Sequence, residues 1–129
     1  MSFADVRTEM ANVVHTAAPH LHVYSYEHPE PQLPAAIVTW SAPISFQGGT
    51  ANGALRFAIV VRLIVGKSDP LLSTQGLDRL ITSTLPDAIR DHVTEHWQTA
   101  NPTSISPPEA LGEQAVMVEM TIDMHAQIT

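Results

Sequence analysis

Residues 54–65, ALRFAIVVRLIV, constrain the fold more than any other part of the sequence. Apolar side chains recur at every second position, and Arg56 and Arg62 fall on the alternate positions. A period of two is typical of a β-strand that buries one face. The twelve residues, at about 3.3 Å each, predict a strand of roughly 40 Å, which is long for a globular protein. The apolar positions are Leu55, Phe57, Ile59, Val61, Leu63 and Val65. The fold must therefore cover one side of this strand over most of its length.

Other periodic segments predict three more strands and up to three helices. The predicted strands are residues 21–26, 35–40 and 116–124. The predicted helices are residues 2–18, a segment that begins at Asp69-Pro70, and a segment that begins at Pro86 and carries Ile89, Val93 and Trp97 on one stripe. Residues 101–113 predict a loop, with a short strand near Ile105 as an alternative. We therefore predict one α+β domain over residues 1–129: a mainly antiparallel sheet of about four strands, with an N-terminal helix and one or two further helices packed on one face.

The charge balance and the cysteine count exclude several classes of protein. The sequence has 13 acidic and 6 basic residues, which give a formal charge of −7. Proteins that wrap nucleic acid bind its phosphates with many lysines and arginines, so we expect no such role. The absence of cysteine excludes disulfides and thiol chemistry. The N-terminus lacks an apolar signal region, and the apolar run at 58–65 is too short to span a membrane. We expect a soluble protein that works where it is made.

The string His92-Val-Thr-Glu95-His96 has the form of a catalytic motif. H-x-x-E-H is the inverted zinc-protease motif, and on the predicted helix its two histidines share a face. A zinc site also needs a third ligand, and a hydrolase needs a substrate cleft, and the sequence indicates neither. A polar helix face explains the string better. We therefore predict no enzyme and no catalytic, cofactor-binding or metal-binding residue, and we keep a metal-dependent hydrolase using His92, Glu95 and His96 as an alternative.

The order of segments along the chain carries a family resemblance. An N-terminal helix precedes a strand and a proline-rich connector that ends in PQLPAAIV. A hairpin then leads into RFAIVVRLIVGKSDP, followed by the helical segment LLSTQGLDRLI and the alternating strand AVMVEMTIDM. This layout, over most of the chain, resembles the tail terminator proteins of long-tailed (siphovirus-type) bacteriophages.

The resemblance implies a structural α+β subunit without enzymatic activity. Such subunits, made in the cytoplasm of the bacterial host, form a homo-hexameric ring in the virion, in the tail at the head–tail junction. The ring caps the major tail tube protein, terminates tube polymerisation and binds a head completion (neck) protein. DNA passes through its lumen without specific binding, and neither a cofactor nor a membrane is involved. Another head–tail connector, an adaptor or stopper protein, is the alternative within the same class.

A glycine-rich loop joins the predicted strands 35–40 and 54–65. A tight hairpin needs two to five loop residues, whereas this connection is longer and contains Gly48-Gly49 and Asn52-Gly53. Glycine tolerates whatever backbone conformation a partner imposes. The loop is therefore a candidate docking element, which comprises Phe46, Gln47, Gly48, Gly49, Thr50, Ala51, Asn52 and Gly53.

We predict that residues 46–53 exchange their amide hydrogens rapidly in the free subunit and slowly in a ring or on the tube. A docked loop is ordered by its partner, and order protects amides from exchange. Hydrogen–deuterium exchange of free and assembled protein measures the difference. Equally rapid exchange in both states would argue against a docking role.

Overall fold

One β-sheet organises the fold, and helices cover one of its faces. The computed structural model describes residues 3–27, 29–40, 45–46, 54–67 and 76–127. Within these ranges the strands are β1 (His22–Tyr24), β2 (Ala35–Trp40), β3 (Ser45–Phe46), β4 (Ala54–Gly66), β5 (Thr99–Ile105), β6 (Glu109–Leu111) and β7 (Ala115–Gln127). The helices are α1 (Phe3–Ala17), α2 (Gly76–Arg79) and α3 (Leu85–Asp91), and a π-helical turn (Leu80–Thr84) joins α2 to α3. The predicted α+β class is confirmed.

The sheet is mixed, which corrects the prediction of its detail. Its strand order is β1-β2-β4-β7-β5, with β3 also paired to β4 and β6 also paired to β7. These make seven strand segments in the described ranges, more than the four predicted, because the short and exposed segments carry little periodic signal. The β1–β2 pair is parallel and the other pairs are antiparallel. The connector between β1 and β2 returns the chain so that both strands run the same way. Within it, the Gln32 N–H donates to Tyr24 Oη at 3.1 Å.

The β4–β7 pair is the centre of the sheet. Each strand has 13 residues, and the antiparallel register runs from Ala54 opposite Gln127 to Gly66 opposite Ala115. Alternate residues of both strands are buried under the helices, as the period of two predicts. The buried set comprises Phe57, Ile59, Val61, Leu63 and Val65 of β4 and Val118, Met120, Ile122 and Met124 of β7. The predicted long strands are therefore confirmed, and the sheet provides the apolar surface on which the helices pack.

The helices complete the core with residues at helical spacing. In α1, Val6, Met10 and Val14 are fully buried, and Asp5 in the first turn is favourable at the helix N-terminus. The α2–α3 segment buries Leu77, Leu80, Ile81, Leu85 and Ile89. Among the described residues, no helix is long and apolar enough to cross a membrane. The predicted start of the second helix at Asp69-Pro70 lies outside the described residues.

The π-helical turn lies directly before Pro86. The Leu85 N–H donates to the Leu80 carbonyl, which is the i to i−5 bond of a π-turn. In a regular α-helix the Pro86 ring would clash with the carbonyl of Thr82, and proline has no N–H to donate. The wider turn accommodates the proline, and Leu85, Pro86 and Ile89 all remain buried. Over the described residues 76–91 the helical segment is continuous, which agrees with the prediction of one further helix and not two.

The predicted helical stripe through Val93 and Trp97 is wrong. Helix α3 ends at Asp91, and His92 has an extended backbone with φ −71° and ψ 126°. Val93 is 92% exposed, whereas Trp97 is buried. The chain leaves the helix because it must reach the edge of β7, where the Gln98 N–H donates to the His125 carbonyl at 2.8 Å. Tertiary pairing overrides the local helical periodicity here.

The predicted loop at 101–113 is also largely wrong. Strand β5 pairs with the C-terminal half of β7, and β6 pairs with its N-terminal end. Most of their side chains are exposed, so neither strand shows the alternation that predicts a strand. Pro102 is tolerated because β5 is an edge strand, and the pairing shifts register between Pro102 and Ser104. The alternative of a strand near Ile105 was the better prediction.

We predict that Ile59→Ala lowers the free energy of unfolding by about 2–5 kcal/mol. Ile59 and its cross-strand partner Ile122 are fully buried, so the truncation leaves a cavity. The matched control is Val93→Ala, which should change stability by less than about 0.5 kcal/mol because the side chain is exposed. Urea denaturation of the three proteins measures both changes. A large loss in the free energy of unfolding of Val93→Ala would instead support the predicted helical stripe through Val93.

Candidate functional site

The sheet face opposite the helices carries a set of cross-strand ion pairs. Arg62 on β4 lies directly opposite Glu119 on β7, with 3.4 Å between Arg62 Nε and Glu119 Oε2. Arg62 Nη1 also lies 3.2 Å from Oε1 of Glu27 in the connector. Arg56 Nη2 lies 3.4 Å from Oδ2 of Asp123. Alternation along both strands predicts this shared face for the two arginines, Glu119 and Asp123, and the structure confirms it. The Arg62–Glu119 contact is partly buried, whereas the contacts of Arg62 with Glu27 and of Arg56 with Asp123 are exposed and stabilise the fold by about 1 kcal/mol at most.

An apolar groove lies on the same face, between the connector and the sheet. It has a volume of about 340 Å³. Its apolar lining residues are Pro29, Pro31, Leu33, Ile37, Ile64, Leu111, Ala115 and Met117, and Glu27 and Arg62 supply its charged wall. Ile37, Ile64 and Ala115 form a small buried cluster at its floor, while Leu33 and Leu111 are 40% and 45% exposed. We name this set of ten residues the connector groove. It offers an apolar surface with a polar rim, which is the usual anatomy of a protein-binding patch.

The structure does not place the H-x-x-E-H string on a helix. His92 follows the end of α3, and residues 93–97 have no helical turn. Glu95 is exposed to solvent, and the two histidines instead approach Glu9 of α1. The prediction that the two histidines share a helix face is therefore wrong. The carboxylate beside them is that of Glu9 and not that of Glu95 in the motif.

Glu9, His92 and His96 form a convergent cluster between α1 and the segment after α3. Glu9 Oε1 lies 3.6 Å from His92 Nε2 and 3.7 Å from His96 Nδ1. Both nitrogens are buried, and neither has a hydrogen-bond partner among the residues that the structure describes. Thr94 connects the two sides of the cluster, because its hydroxyl donates to Glu9 Oε1 at 3.1 Å and accepts from the His96 N–H at 3.1 Å. The His92 ring also packs against Trp97, with 5.8 Å between ring centroids.

The cluster as it stands is a hydrogen-bonded contact with two unsatisfied nitrogens. Within the described part of the chain, no group of three or more histidine, cysteine, aspartate or glutamate side chains could hold a metal ion. Glu9 was missed by sequence reasoning because it lies in α1, far along the chain from both histidines. The packing of α1 against α3 brings it into place, and no sequence pattern signals that contact.

Several other histidine and methionine side chains have simpler settings. Met120 and Met124 are in the core, and Met117 packs on the opposite face at the connector groove. His20 and His22 are exposed, and His20 lies outside β1, so the two do not share one strand. His125 Nε2 lies 3.7 Å from Asp123 Oδ2.

The candidate docking element is largely outside the described residues. Phe46 is the last residue of β3, whose backbone pairs with Leu55 and Arg56 of β4. Residues 47–53 of the element are not among the residues that the structure describes. The docking role of residues 46–53 remains a prediction.

Comparison with protein-family models and with curated proteins finds no match to this chain. The sequence pattern and the geometry of the described residues are therefore the basis on which a function is proposed.

We predict that Thr94→Val lowers the free energy of unfolding by about 1–2 kcal/mol. Valine keeps the branched shape but removes the hydroxyl that donates to the Glu9 carboxylate and accepts from His96. Thr103→Val is the matched control, because the Thr103 hydroxyl donates to the Thr121 carbonyl at 3.3 Å on an exposed edge and should cost less than about 0.5 kcal/mol. Chemical denaturation compares the two variants. Equal effects would mean that the Thr94 contact adds nothing beyond an ordinary surface hydrogen bond.

Proposed function

We propose that this chain is a structural virion protein that forms a ring on the end of a bacteriophage tail tube. In this role it terminates tube polymerisation, as the family resemblance implies, and joins the tail to the head completion proteins. The observation that carries the proposal is the division of the sheet into a helix-covered face and an opposite face with an apolar groove and balanced charges. An adaptor or stopper protein of the same junction is the alternative within this class.

The second face has the composition of a contact surface. Arg62 and Arg56 are paired with acidic residues on neighbouring elements, so the face presents little uncompensated charge. Leu33 and Leu111 expose apolar surface beside these pairs. Protein interfaces typically have a core depleted of unpaired charge and a polar rim, and this face has the same arrangement. We assign the connector groove to contact with a neighbouring subunit in the ring.

The edges of the sheet favour association through this face over strand addition. The edge strand β1 has three residues, which is too short to recruit a long partner strand. The edge strand β5 carries Pro102 and a register shift, both of which interrupt a continuous ladder of donors. The features of β1 and β5 make the outer face of the sheet the better candidate for assembly.

The net charge suits passage of DNA through a ring. Six copies at −7 each carry a formal charge of 6 × (−7) = −42. A lumen that presents part of this charge repels phosphates, so DNA slides through without binding.

The direct test is electron microscopy of tail tubes assembled with and without the protein. We expect shorter tubes of uniform length, each with a ring at one end. Unchanged tube length together with bare tube ends would overturn the proposed function. A ring found only on the head side of the junction would favour the adaptor or stopper alternative.

A pair of variants tests the assigned subunit contact. We predict that Leu111→Glu weakens self-association by at least about tenfold, because it introduces an unpaired charge into an apolar contact. Val93→Glu is the matched control, since it places the same charge at an exposed position away from the groove. Light scattering over a range of protein concentrations measures the mass of the assembly that each protein forms. If Leu111→Glu self-associates as the wild type does, the connector groove is not part of the subunit contact. That result would leave the proposed tube-capping role unaffected.

A further inference from the structure

We infer that the connector groove of one copy of the chain receives the glycine-rich loop, residues 46–53, of the next copy. The groove has an apolar floor and a charged wall, and the loop has no charged residue. This contact rests on the proposed ring function, and it names the element of the neighbouring subunit that the groove binds.

The loop and the groove lie at opposite ends of β4. The loop leads into Ala54, the first residue of β4, whereas Arg62 and Ile64 line the groove near the other end of the strand. Ile64 follows Ala54 by ten residues, which at about 3.3 Å each span roughly 33 Å. A connection over residues 47–53 that leaves β3 and returns to β4 can extend about 15 Å at most. The loop therefore cannot reach the groove of its own subunit, and its contact with a groove requires a second copy.

A contact between opposite ends of two copies has the geometry that a ring needs. Each copy then uses its loop on one side and its groove on the other, so the contact is heterologous and repeats from subunit to subunit. A groove that packed against the groove of another copy would instead form a closed dimer. The full-length pairing of β4 with β7 keeps the two ends at a constant separation in every subunit.

The charges that line the groove are already compensated within the subunit. Arg62 Nη1 lies 3.2 Å from Glu27 Oε1, and Arg62 Nε lies 3.4 Å from Glu119 Oε2. A charged occupant would bury its charge there without a free partner, which is costly, whereas residues 46–53 carry no charge. The sequence also gives the loop one large apolar side chain, that of Phe46, to contact the apolar floor.

The size of the groove suits a loop better than a folded element. Its volume of about 340 Å³ is near the lower end of the range of about 300–1,000 Å³ for binding pockets. Gly48 and Gly49 have no side chain, so the backbone of the loop can approach the groove closely. An occupant of this kind would cover Leu33 and Leu111, which are 40% and 45% exposed in the single chain.

The test is disulfide trapping between two proteins that each carry one substitution. The chain has no cysteine, so every disulfide comes from the introduced residues. Gly49→Cys and Leu111→Cys are prepared separately, mixed in equal amounts and treated with a mild oxidant. Mass spectrometry of the linked peptides then measures the disulfide between the loop of one copy and the groove of another. The matched control replaces Leu111→Cys with Val93→Cys, which puts the thiol at an exposed position away from the groove.

We expect the disulfide with Leu111→Cys to form at least about tenfold faster than the one with Val93→Cys, because docking raises the effective concentration of the two thiols. A double-mutant cycle adds a second readout. Phe46→Ser should weaken self-association by at least about tenfold. Combining it with Leu111→Glu should weaken self-association no further than the more severe single change, because both changes remove the same contact. Circular dichroism checks that Phe46→Ser remains folded, and the trapping experiment does not depend on that variant.

Three results would overturn the inference: equal rates with Leu111→Cys and Val93→Cys, a Leu111→Cys protein that links to itself faster than to Gly49→Cys, or a wild type that stays monomeric with and without tail tubes. The first two would leave the tube-capping role intact if electron microscopy shows rings at the tube ends. A rapid disulfide between loop and groove together with bare tube ends would support the docking contact and overturn the proposed function.

Discussion

The pairing of β4 with β7 is the constraint on which the rest of the structure depends. The two 13-residue strands lie side by side over their full length, with Ile59 opposite Ile122 and Val61 opposite Met120. Because side chains alternate, one register fixes which residues face the helices and which face outward. A slip of one residue in either strand would move its buried residues to the outer face and its charged residues into the core. The core, the outer ion pairs and the floor of the connector groove all follow from this single alignment.

The sequence predicted the parts of the fold that carry periodic signal. The apolar alternation at Ile59, Val61 and Leu63 indicated a long half-buried strand, and the stripe through Val6, Met10 and Val14 indicated a helix. These patterns are strong because each reflects burial on one side only. Residues 101–105 of strand β5 were predicted as part of a loop because the strand is exposed at the edge, where no burial pattern is imposed on Asn101 or Thr103.

The candidate sites could be predicted only in part, for the same reason. Cross-strand pairing of Arg62 with Glu119 follows from alternation once both strands are recognised. The cluster of Glu9 with His92 and His96 follows from no local pattern, because residues from distant parts of the sequence meet there through packing of α1 against α3. The prediction of a helix over residues 92–97 also singled out Glu95, whose side chain is exposed to solvent. A motif predicts chemistry only when its backbone conformation is the one that the motif assumes.

The π-turn before Pro86 has a consequence for the phase of the helical segment. One residue added to an α-helix rotates everything after it by about 100°, since a turn has about 3.6 residues. On an unbroken α-helical wheel, Leu85 and Ile89 would drift around the helix away from Leu77 and Leu80. The wider turn takes up one extra residue and returns both side chains to the buried side, where the structure finds them. The π-turn therefore brings the apolar stripes before and after it onto the same side of the helical segment. An extra residue is accommodated there without turning the side chains that follow away from the core.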